Sequence, residues 1–399
     1  MTENSIEFSS ALYDKYTNSS KRILRIVYLW PKTDGKDPFC HRFLGLLYIF
    51  NALFCVTCQI YQVCTISKDL SNSLEILGNS TTCFVLLSRG LVFFTRSDTI
   101  RKIDTLNRKI WIEEFQDELN REMMTSAART ADILTNLLYY LVLFCSCNFY
   151  FAPIISICSQ WLHGVAKDDF VHDLPFLIFS NVQDPLYNAI AYVFLSFSAI
   201  IVLCYISGVD SCYLVWIQHT RLHIKLLQQD IFRLRQSNDV LRDLRVCVFK
   251  HNRIYRNVAL INDIYGPIIL SLYIFNTLSM CMVLFNILIM KGGASGNFSL
   301  YVSYFIVEIS SVLLYCYYGN KIIDESVDLC FAAYDIDWYE DRPNNKLTFC
   351  NCICIIMTRA QKPVVITACK LADVSLPALT SILKFMLSCF TLLKGLYED

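Results

Sequence analysis

Two residue pairs have the types and the spacing that could support catalysis or metal binding. His163 and Asp168 fit the H-x4-D pattern, in which a histidine oriented by an aspartate acts as a general base. His219 and His223 are four residues apart and would share one face of a helix, as two ligands of one metal ion do. The first pair has no supporting motif, and the second lacks a third ligand. We therefore expect neither an enzyme nor a metal site from these residues.

The cysteines offer a third candidate. Cys350, Cys352 and Cys354 alternate in the stretch FCNCIC, which is the wrong spacing for a zinc knuckle, and no histidine lies nearby. Most of the 19 cysteines lie inside apolar blocks, where cysteine behaves as a small hydrophobic side chain. We expect no metal, no other cofactor and no disulfide framework.

The composition is too apolar for an ordinary soluble protein. Of the 399 residues, 55% are hydrophobic and only 18% are charged, and the mean hydropathy is +0.41. Lysine plus arginine and aspartate plus glutamate number 35 each, so we expect no polyanion-binding surface and no nucleic-acid partner. The apolar residues are concentrated in blocks, which indicates membrane-spanning segments.

The blocks predict an all-α polytopic membrane protein with seven transmembrane helices. Each block is near the length that a helix needs to cross the hydrocarbon layer, about twenty residues. The predicted spans are Phe43–Ile66, Leu74–Thr95, Ile133–Cys158, Ala189–Val209, Ile268–Met290, Leu300–Gly319 and Leu376–Leu396.

The basic residues predict the orientation of these spans. Most basic residues outside the spans lie before the first span and in the loops that follow the second, fourth and sixth spans. The loops that follow the first, third and fifth spans, together with the tail, hold only Lys68, Lys167, Lys291 and Lys394. Because basic loops stay on the cytoplasmic side, we expect a cytoplasmic N-terminus and an extracellular C-terminus. This is the reverse of a G-protein-coupled receptor, and the N-terminal segment has no signal-peptide pattern.

Two further segments are predicted to be helical outside the membrane. Between residues 215 and 262, leucines recur at helical spacing with charges between them. The apolar segment Leu347–Ala360 is short for a span, and treating it as one would place Lys362 and Lys370 outside the cell. These pieces predict a cytoplasmic helical domain that assembles subunits.

The last part of the chain carries a specific resemblance. TRAQKPVVITACKLADVSLPALTSILKFMLSCFTLLKGLYED resembles the C-terminus of insect odorant receptors, which typically carry R-A-Q-K-P, T-A-G-K, S-L and S-Y-F-T-L-L. The matching residues are Arg359–Pro363, Thr367, Ala368, Lys370, Ser375, Leu376 and Phe390–Leu393. Cys369 stands where glycine is usual, and Cys389 stands where tyrosine is usual.

The resemblance implies an odour-tuned subunit of a ligand-gated, non-selective cation channel. Such subunits form hetero-oligomers, as tetramers, with a co-receptor subunit of the same fold. The expected location is the plasma membrane, as a multi-pass protein surrounded by lipid, in the dendrite of an olfactory sensory neuron. The expected ligand is a small volatile. The alternatives are a gustatory-type channel that works without a co-receptor and a multipass membrane enzyme or transporter.

The spans, the orientation and the resemblance together predict six regions. These are a cytoplasmic N-terminal segment (1–42), transmembrane helices one to four (43–213) with an outer loop (159–188), a cytoplasmic helical extension (214–262), transmembrane helices five and six (263–320), cytoplasmic anchor helices (321–370), and a pore-lining seventh helix with an extracellular tail (371–399).

The resemblance places the pore on the seventh helix. Leu392 and Leu396 are four residues apart and share a helix face, and four such faces around an axis would form an apolar gate. The resemblance aligns this pair with the gate of the family, with Lys394 and Tyr397 at the outer mouth. The alternative is that both leucines face lipid or neighbouring helices.

The resemblance implies an odour site in the outer half of the bundle, because in the odorant receptor family the site is formed mainly by the second, third, fourth and sixth spans. A mostly aromatic pocket with a few hydroxyl or amide groups suits a small volatile with one oxygen function. The candidates are Ile76, Asn79, Ser80, Cys83, Cys147, Asn148, Tyr150, Phe151, Tyr192, Phe194, Phe197, Tyr301, Tyr304 and Phe305. For each of them, ordinary helix packing is the alternative.

One acidic residue lies within a predicted span. Glu308 in the sixth span should face protein or water, because a charged group facing lipid is costly. It is either functional or paired with a neighbour, for which Arg89 in the second span is a candidate.

Overall fold

The computed structural model describes most of the chain. The described residues are 3–32, 37–65, 70–163, 185–237, 239–289, 297–336 and 346–398. The predicted outer loop at 159–188 therefore lies largely outside the described residues.

The described part of the chain is almost entirely helical, in line with the sequence prediction. Its helices are α1 (Glu3–Ile26), α2 (Phe39–Thr65), α3 (Leu70–Thr95), α4 (Ser97–Glu114), α5 (Glu118–Leu162), α6 (Pro185–Arg233), α7 (Val240–Ser271), α8 (Thr277–Ile289), α9 (Asn297–Tyr334), α10 (Lys346–Ala360) and α11 (Leu376–Glu398). A π-helical turn at Leu272–Asn276 joins α7 to α8.

Seven stretches are long and apolar enough to cross a membrane, which confirms the predicted number of spans. They lie in α2, α3, α5, α6, α7 with α8, α9 and α11. The apolar segment at Leu347–Ala360 is helical as α10 and is shorter than these seven.

Several helices are much longer than a membrane crossing. α5 has 45 residues and α6 has 49, so each is roughly 70 Å long against about 30 Å of hydrocarbon. The predicted boundaries at residues 213 and 320 consequently fall inside α6 and α9. α1, α4 and α10 pack with the adjoining parts of α5, α6, α7 and α9, and we call this bundle the extended end.

Ion pairs connect helices at the extended end. Arg221 on α6 holds Glu325 on α9 with its Nε 3.0 Å from Oε2. Arg233 Nη1 lies 2.6 Å from Asp117 Oδ2. Burial raises the pKa of Asp117, but the N–H of Leu119 and the guanidinium of Arg233 outweigh it and hold the pKa below its usual value. Ion pairs thus link the helices of the extended end, and charged groups of this kind are best solvated in water.

A short hairpin precedes α11 and packs on α7. Its strands, β1 (Thr367–Ala368) and β2 (Ala372–Asp373), pair antiparallel. Asn262 on α7 binds both sides of the segment, because its Nδ2 donates to the Val365 carbonyl at 3.0 Å and its Oδ1 accepts from the Thr367 N–H at 2.9 Å. Cys369 in the turn has a φ of 52°, in the left-handed region, where glycine is the residue that fits with the least strain.

The same segment also packs on α9. Ser326 Oγ accepts a hydrogen bond from the Val364 N–H at 2.9 Å. The backbone of Val374 approaches residue 319 so closely that a Cβ atom there would overlap the Val374 carbonyl oxygen, and glycine is therefore required at this position. The start of α11 is therefore anchored to both α7 and α9.

Candidate functional site

A cavity of about 120 Å³ lies among the membrane-crossing parts of α2, α3, α5, α6 and α9. Its wall is mainly apolar, and the polar and sulfur-containing residues in it are Asn51, Cys55, Gln59, Asn79, Thr82, Cys83, Cys145, Ser146, Ser198, Tyr205 and Tyr304. A concave, mainly apolar space with a few polar groups is the usual form of a small-molecule site.

One face of α2 supplies a polar edge of the cavity that the sequence analysis missed. Asn51, Cys55 and Gln59 are spaced by four residues, which places them on one face of the helix. This spacing is visible in the sequence and could have indicated a polar face within the first span. Tyr205 on α6 reaches α3 because Gly90 has no side chain. A Cβ atom at Gly90 would lie 3.2 Å from the Tyr205 hydroxyl oxygen.

A polar network stands behind the α3 and α9 side of the cavity. Thr82 Oγ1 donates to Glu308 Oε1 at 3.2 Å, and the Tyr304 hydroxyl contacts both Thr82 and, at 3.3 Å, Ser279. Asn276, the last residue of the π-helical turn, donates its Nδ2 to the Glu308 carbonyl at 3.1 Å. The Glu308 side chain is buried in protein, as expected for an acidic residue in a span.

The suggested pairing of Arg89 with Glu308 is wrong. Arg89 on α3 binds Asp210 on α6, with its Nη2 3.0 Å from Oδ1, and both side chains are buried. Asp210 also accepts hydrogen bonds from Tyr315 at 2.7 Å and from Ser311 at 3.4 Å, both on α9. Glu308 instead lies at the level of Thr82, seven residues before Arg89 on α3, which corresponds to about 10 Å along the helix axis.

Three of the predicted ligand-binding residues, Asn79, Cys83 and Tyr304, line the cavity. The others lie outside its wall: Ile76, Ser80, Cys147, Asn148, Tyr150, Phe151, Tyr192, Phe194, Phe197, Tyr301 and Phe305. Tyr192 donates to the Tyr150 carbonyl at 3.1 Å and so ties α6 to α5. The rotation of each helix about its axis decides which residues face inward, and depth along the span does not reveal that rotation.

α11 has two distinct faces. The face packed on α8 and α9 is apolar and contains Leu379, Ile382, Leu383, Met386, Cys389, Phe390 and Leu393. The opposite face is exposed and includes Thr380, Ser381, Lys384, Ser388 and Thr391. Leu392 belongs to the exposed face, with 65% of its surface accessible. Lys394 is exposed as well, and Leu396 and Tyr397 lie in the last turns of α11.

The pairs that suggested chemistry from sequence have other surroundings. His219 is buried between the rings of Tyr13 and Trp111, with ring centroids 5.4 and 5.6 Å away. The described residues contain no cluster of three or more His, Cys, Asp or Glu side chains that could hold a metal ion. Asp168, the proposed partner of His163, lies outside the described residues.

Comparison with known proteins decides the family. Residues 69–387 match the family described as 7tm Odorant receptor. The chain belongs to the odorant receptor family. The chain is 26% identical to Odorant receptor 13a of Drosophila melanogaster, over 93% of both chains, and 26% identical to Odorant receptor 22c of the same fly, over 92% of this chain and 94% of the relative.

A co-receptor and a solved structure complete the comparison. The odorant receptor coreceptor of Anopheles gambiae is 27% identical over 40% of this chain and 32% of its own length. The fold is similar to that of the olfactory receptor OR5 from Machilis hrabei in complex with eugenol, with a TM-score of 0.80 and 18% identity over 97% of this odorant receptor and 99% of OR5. Family and fold are those of receptors and not of enzymes.

Proposed function

We propose that this odorant receptor binds a small volatile in the described cavity and thereby opens a cation channel formed with a co-receptor subunit. The observation that carries the proposal is the cavity itself. It lies among membrane-crossing helices, its wall is mainly apolar, and it contains a few polar groups. The similar OR5 structure is described as a complex with eugenol, a small molecule of the expected kind.

The channel part of the proposal rests on α11. A helix that crosses a membrane beside lipid has little use for a line of hydroxyl groups and a lysine, yet Thr380, Lys384, Ser388 and Thr391 lie together on its exposed face. In an assembly of subunits this face would border a water-filled axis. Leu392, and with it Leu396, would form the apolar gate of that axis.

The remaining arrangement follows from the same proposal. Lys394 and Tyr397 lie near the outer mouth, the N-terminus is cytoplasmic, and the receptor resides in the plasma membrane of an olfactory neuron. The subunits associate as a tetramer through the extended end, whose ion pairs suit an aqueous compartment. The six predicted regions keep these assignments, with long helices running across the boundaries at residues 213 and 320.

The test is expression in oocytes with and without the co-receptor, followed by a screen of volatile alcohols, esters and terpenoids for inward current. We expect odour-evoked current only when both subunits are present. Strong current from this chain alone would favour a gustatory-type channel instead. If tagged receptor reaches the cell surface with the co-receptor and no volatile evokes current, the proposed function is wrong.

The orientation has its own test. An epitope tag after Asp399 should be stained by antibody on intact cells, and a tag before Met1 should be stained only after permeabilisation. The reverse pattern would refute the proposed orientation.

A further inference from the structure

The wall of the cavity contains two buried side-chain atoms that have no hydrogen-bond partner among the described residues. They are Oε1 of Gln59 on α2 and the hydroxyl oxygen of Tyr205 on α6. Gln59 is only 2% exposed, and Tyr205 is fully buried. Because buried polar groups in native proteins are nearly always hydrogen-bonded, each of these atoms calls for a partner that the described residues do not supply.

The two unpaired atoms lie at different levels of the cavity. The Tyr205 hydroxyl lies against Gly90 on α3, and the same glycine faces Ile49 on α2. Gln59 follows Ile49 by ten residues on α2, which corresponds to about 15 Å along the helix axis. One functional group of a small molecule cannot reach both atoms, so they recognise different parts of a ligand.

In the part of the cavity beside Gln59, a ligand can satisfy the unpaired atom only with a hydrogen-bond donor. The carbonyl oxygen Oε1 of Gln59 is buried in the cavity wall and has no partner among the described residues. A carbonyl oxygen accepts and never donates. An ether, ester or ketone offers no proton at this position and would leave Oε1 unpaired, whereas the Tyr205 hydroxyl can either donate or accept.

A charged donor fits this end poorly. A protonated amine would need a carboxylate in the cavity wall, because an ion in a mainly apolar space is strongly disfavoured. Glu308 is hydrogen-bonded to the wall residue Thr82, but it stands behind Thr82 and Tyr304 and is not part of the wall. A neutral hydroxyl satisfies the amide oxygen without this cost.

We infer that this receptor is tuned to small volatiles that carry a hydroxyl group, and that Gln59 is the residue that recognises the hydroxyl proton. The inference rests on the proposed odour-binding function of the cavity and adds the ligand class and the residue that selects it. Tyr205, at the other end, contributes a contact that does not distinguish a donor from an acceptor.

The experiment uses the full-length receptor expressed with its co-receptor and measures dose–response curves of inward current. The probes are a homologous series of saturated primary alcohols, each paired with its methyl ether and with the corresponding aldehyde and amine. The alcohols should be at least about tenfold more potent than their ethers and aldehydes, because only they satisfy Gln59 Oε1. The amines should be weaker than the alcohols.

Two variants assign the effect to Gln59. Gln59→Met keeps the length of the side chain and removes the acceptor, so it should lower the potency of alcohols about tenfold and bring them level with the ethers. Tyr205→Phe is the matched control, because it removes one buried hydroxyl from the other end of the same cavity. It should shift alcohols and ethers by the same factor and preserve the preference.

Each outcome decides the matter. If the wild-type receptor responds to ethers, aldehydes or amines as well as to alcohols, the inferred ligand class is wrong although the proposed function stands, and a bound water then explains Gln59. A preference for alcohols that persists in Gln59→Met would refute the role of Gln59. Should that variant fail to reach the surface, the comparison of alcohols with ethers in the wild type still tests the ligand class. No response to any volatile would overturn both proposals.

Discussion

Removing either partner of the ion pair between Arg89 and Asp210 should cost much stability, and the two charges should be strongly coupled. Arg89 Nη2 lies 3.0 Å from Asp210 Oδ1, and the two side chains are 3% and 0% exposed. At that distance, an effective dielectric constant of 20 gives an attraction of about 5.5 kcal/mol. Breaking a buried pair by removing one partner costs about 3–5 kcal/mol, since the other charge stays buried without compensation.

A double-mutant cycle measures this coupling. Arg89→Met removes the cation, Asp210→Asn removes the anion and keeps the shape that Tyr315 binds, and the double variant is neutral. Each single variant should lower the apparent melting temperature of the detergent-solubilised receptor by on the order of 10 °C, with a matching loss of surface expression. The double variant should be more stable than either single variant, because it buries no unpaired charge.

An exposed pair provides the control for this cycle. Arg96 Nη1 lies 3.2 Å from Asp263 Oδ1, a similar distance, but these side chains are 52% and 38% exposed. Pairs of this kind contribute about 0–1 kcal/mol, so the same cycle at Arg96 and Asp263 should show little coupling. If the losses from Arg89→Met and Asp210→Asn simply add in the double variant, the argument for a coupled buried pair is refuted.

Three further predictions concern α11 and the segment that anchors it. Gly319→Ala should sharply reduce surface biotinylation, because the new methyl group would overlap the backbone carbonyl of Val374. Gly395→Ala is the control and should not reduce it, because no atom lies within 4 Å of the added Cβ atom. Equal labelling of the two variants would contradict the close approach at Gly319. Cys369→Gly should raise the apparent melting temperature by a few degrees, since a non-glycine residue at φ 52° costs about 1–2 kcal/mol, and an unchanged value would mean that the turn is unstrained. Leu392→Ser, expressed with the co-receptor, should raise the resting current because a polar side chain would let water into the gate. Leu393→Ser, on the packed face, should chiefly lower surface expression. If leak current and block by large cations are unchanged in Leu392→Ser, Leu392 is not part of the gate.

The sequence by itself was sufficient for the number of spans and for the family. A helix is the only way for a single apolar segment to satisfy its backbone hydrogen bonds in lipid, so length and hydropathy alone predict where the spans lie. The C-terminal motifs from Arg359 onward were specific enough to indicate the odorant receptor family, which the match over residues 69–387 confirms. Length also distinguished α10 from the seven helices that are long and apolar enough to cross a membrane.

Only the tertiary structure decided which side chains meet. Asp210 is 121 positions away from Arg89, and from the sequence alone only Glu308 was considered as a partner. The rotations of α3, α6 and α9 place the Asp210 carboxylate beside the guanidinium and the Glu308 carboxylate beside Thr82. The cavity shows the same limit, since Gln59 and Tyr205 enter its wall through helix rotation and the missing side chain of Gly90. Hydropathy records how apolar a segment is, but in a membrane helix both the packed side and the lipid-facing side can be apolar. The inward face is therefore fixed by packing against helices that are distant in the sequence.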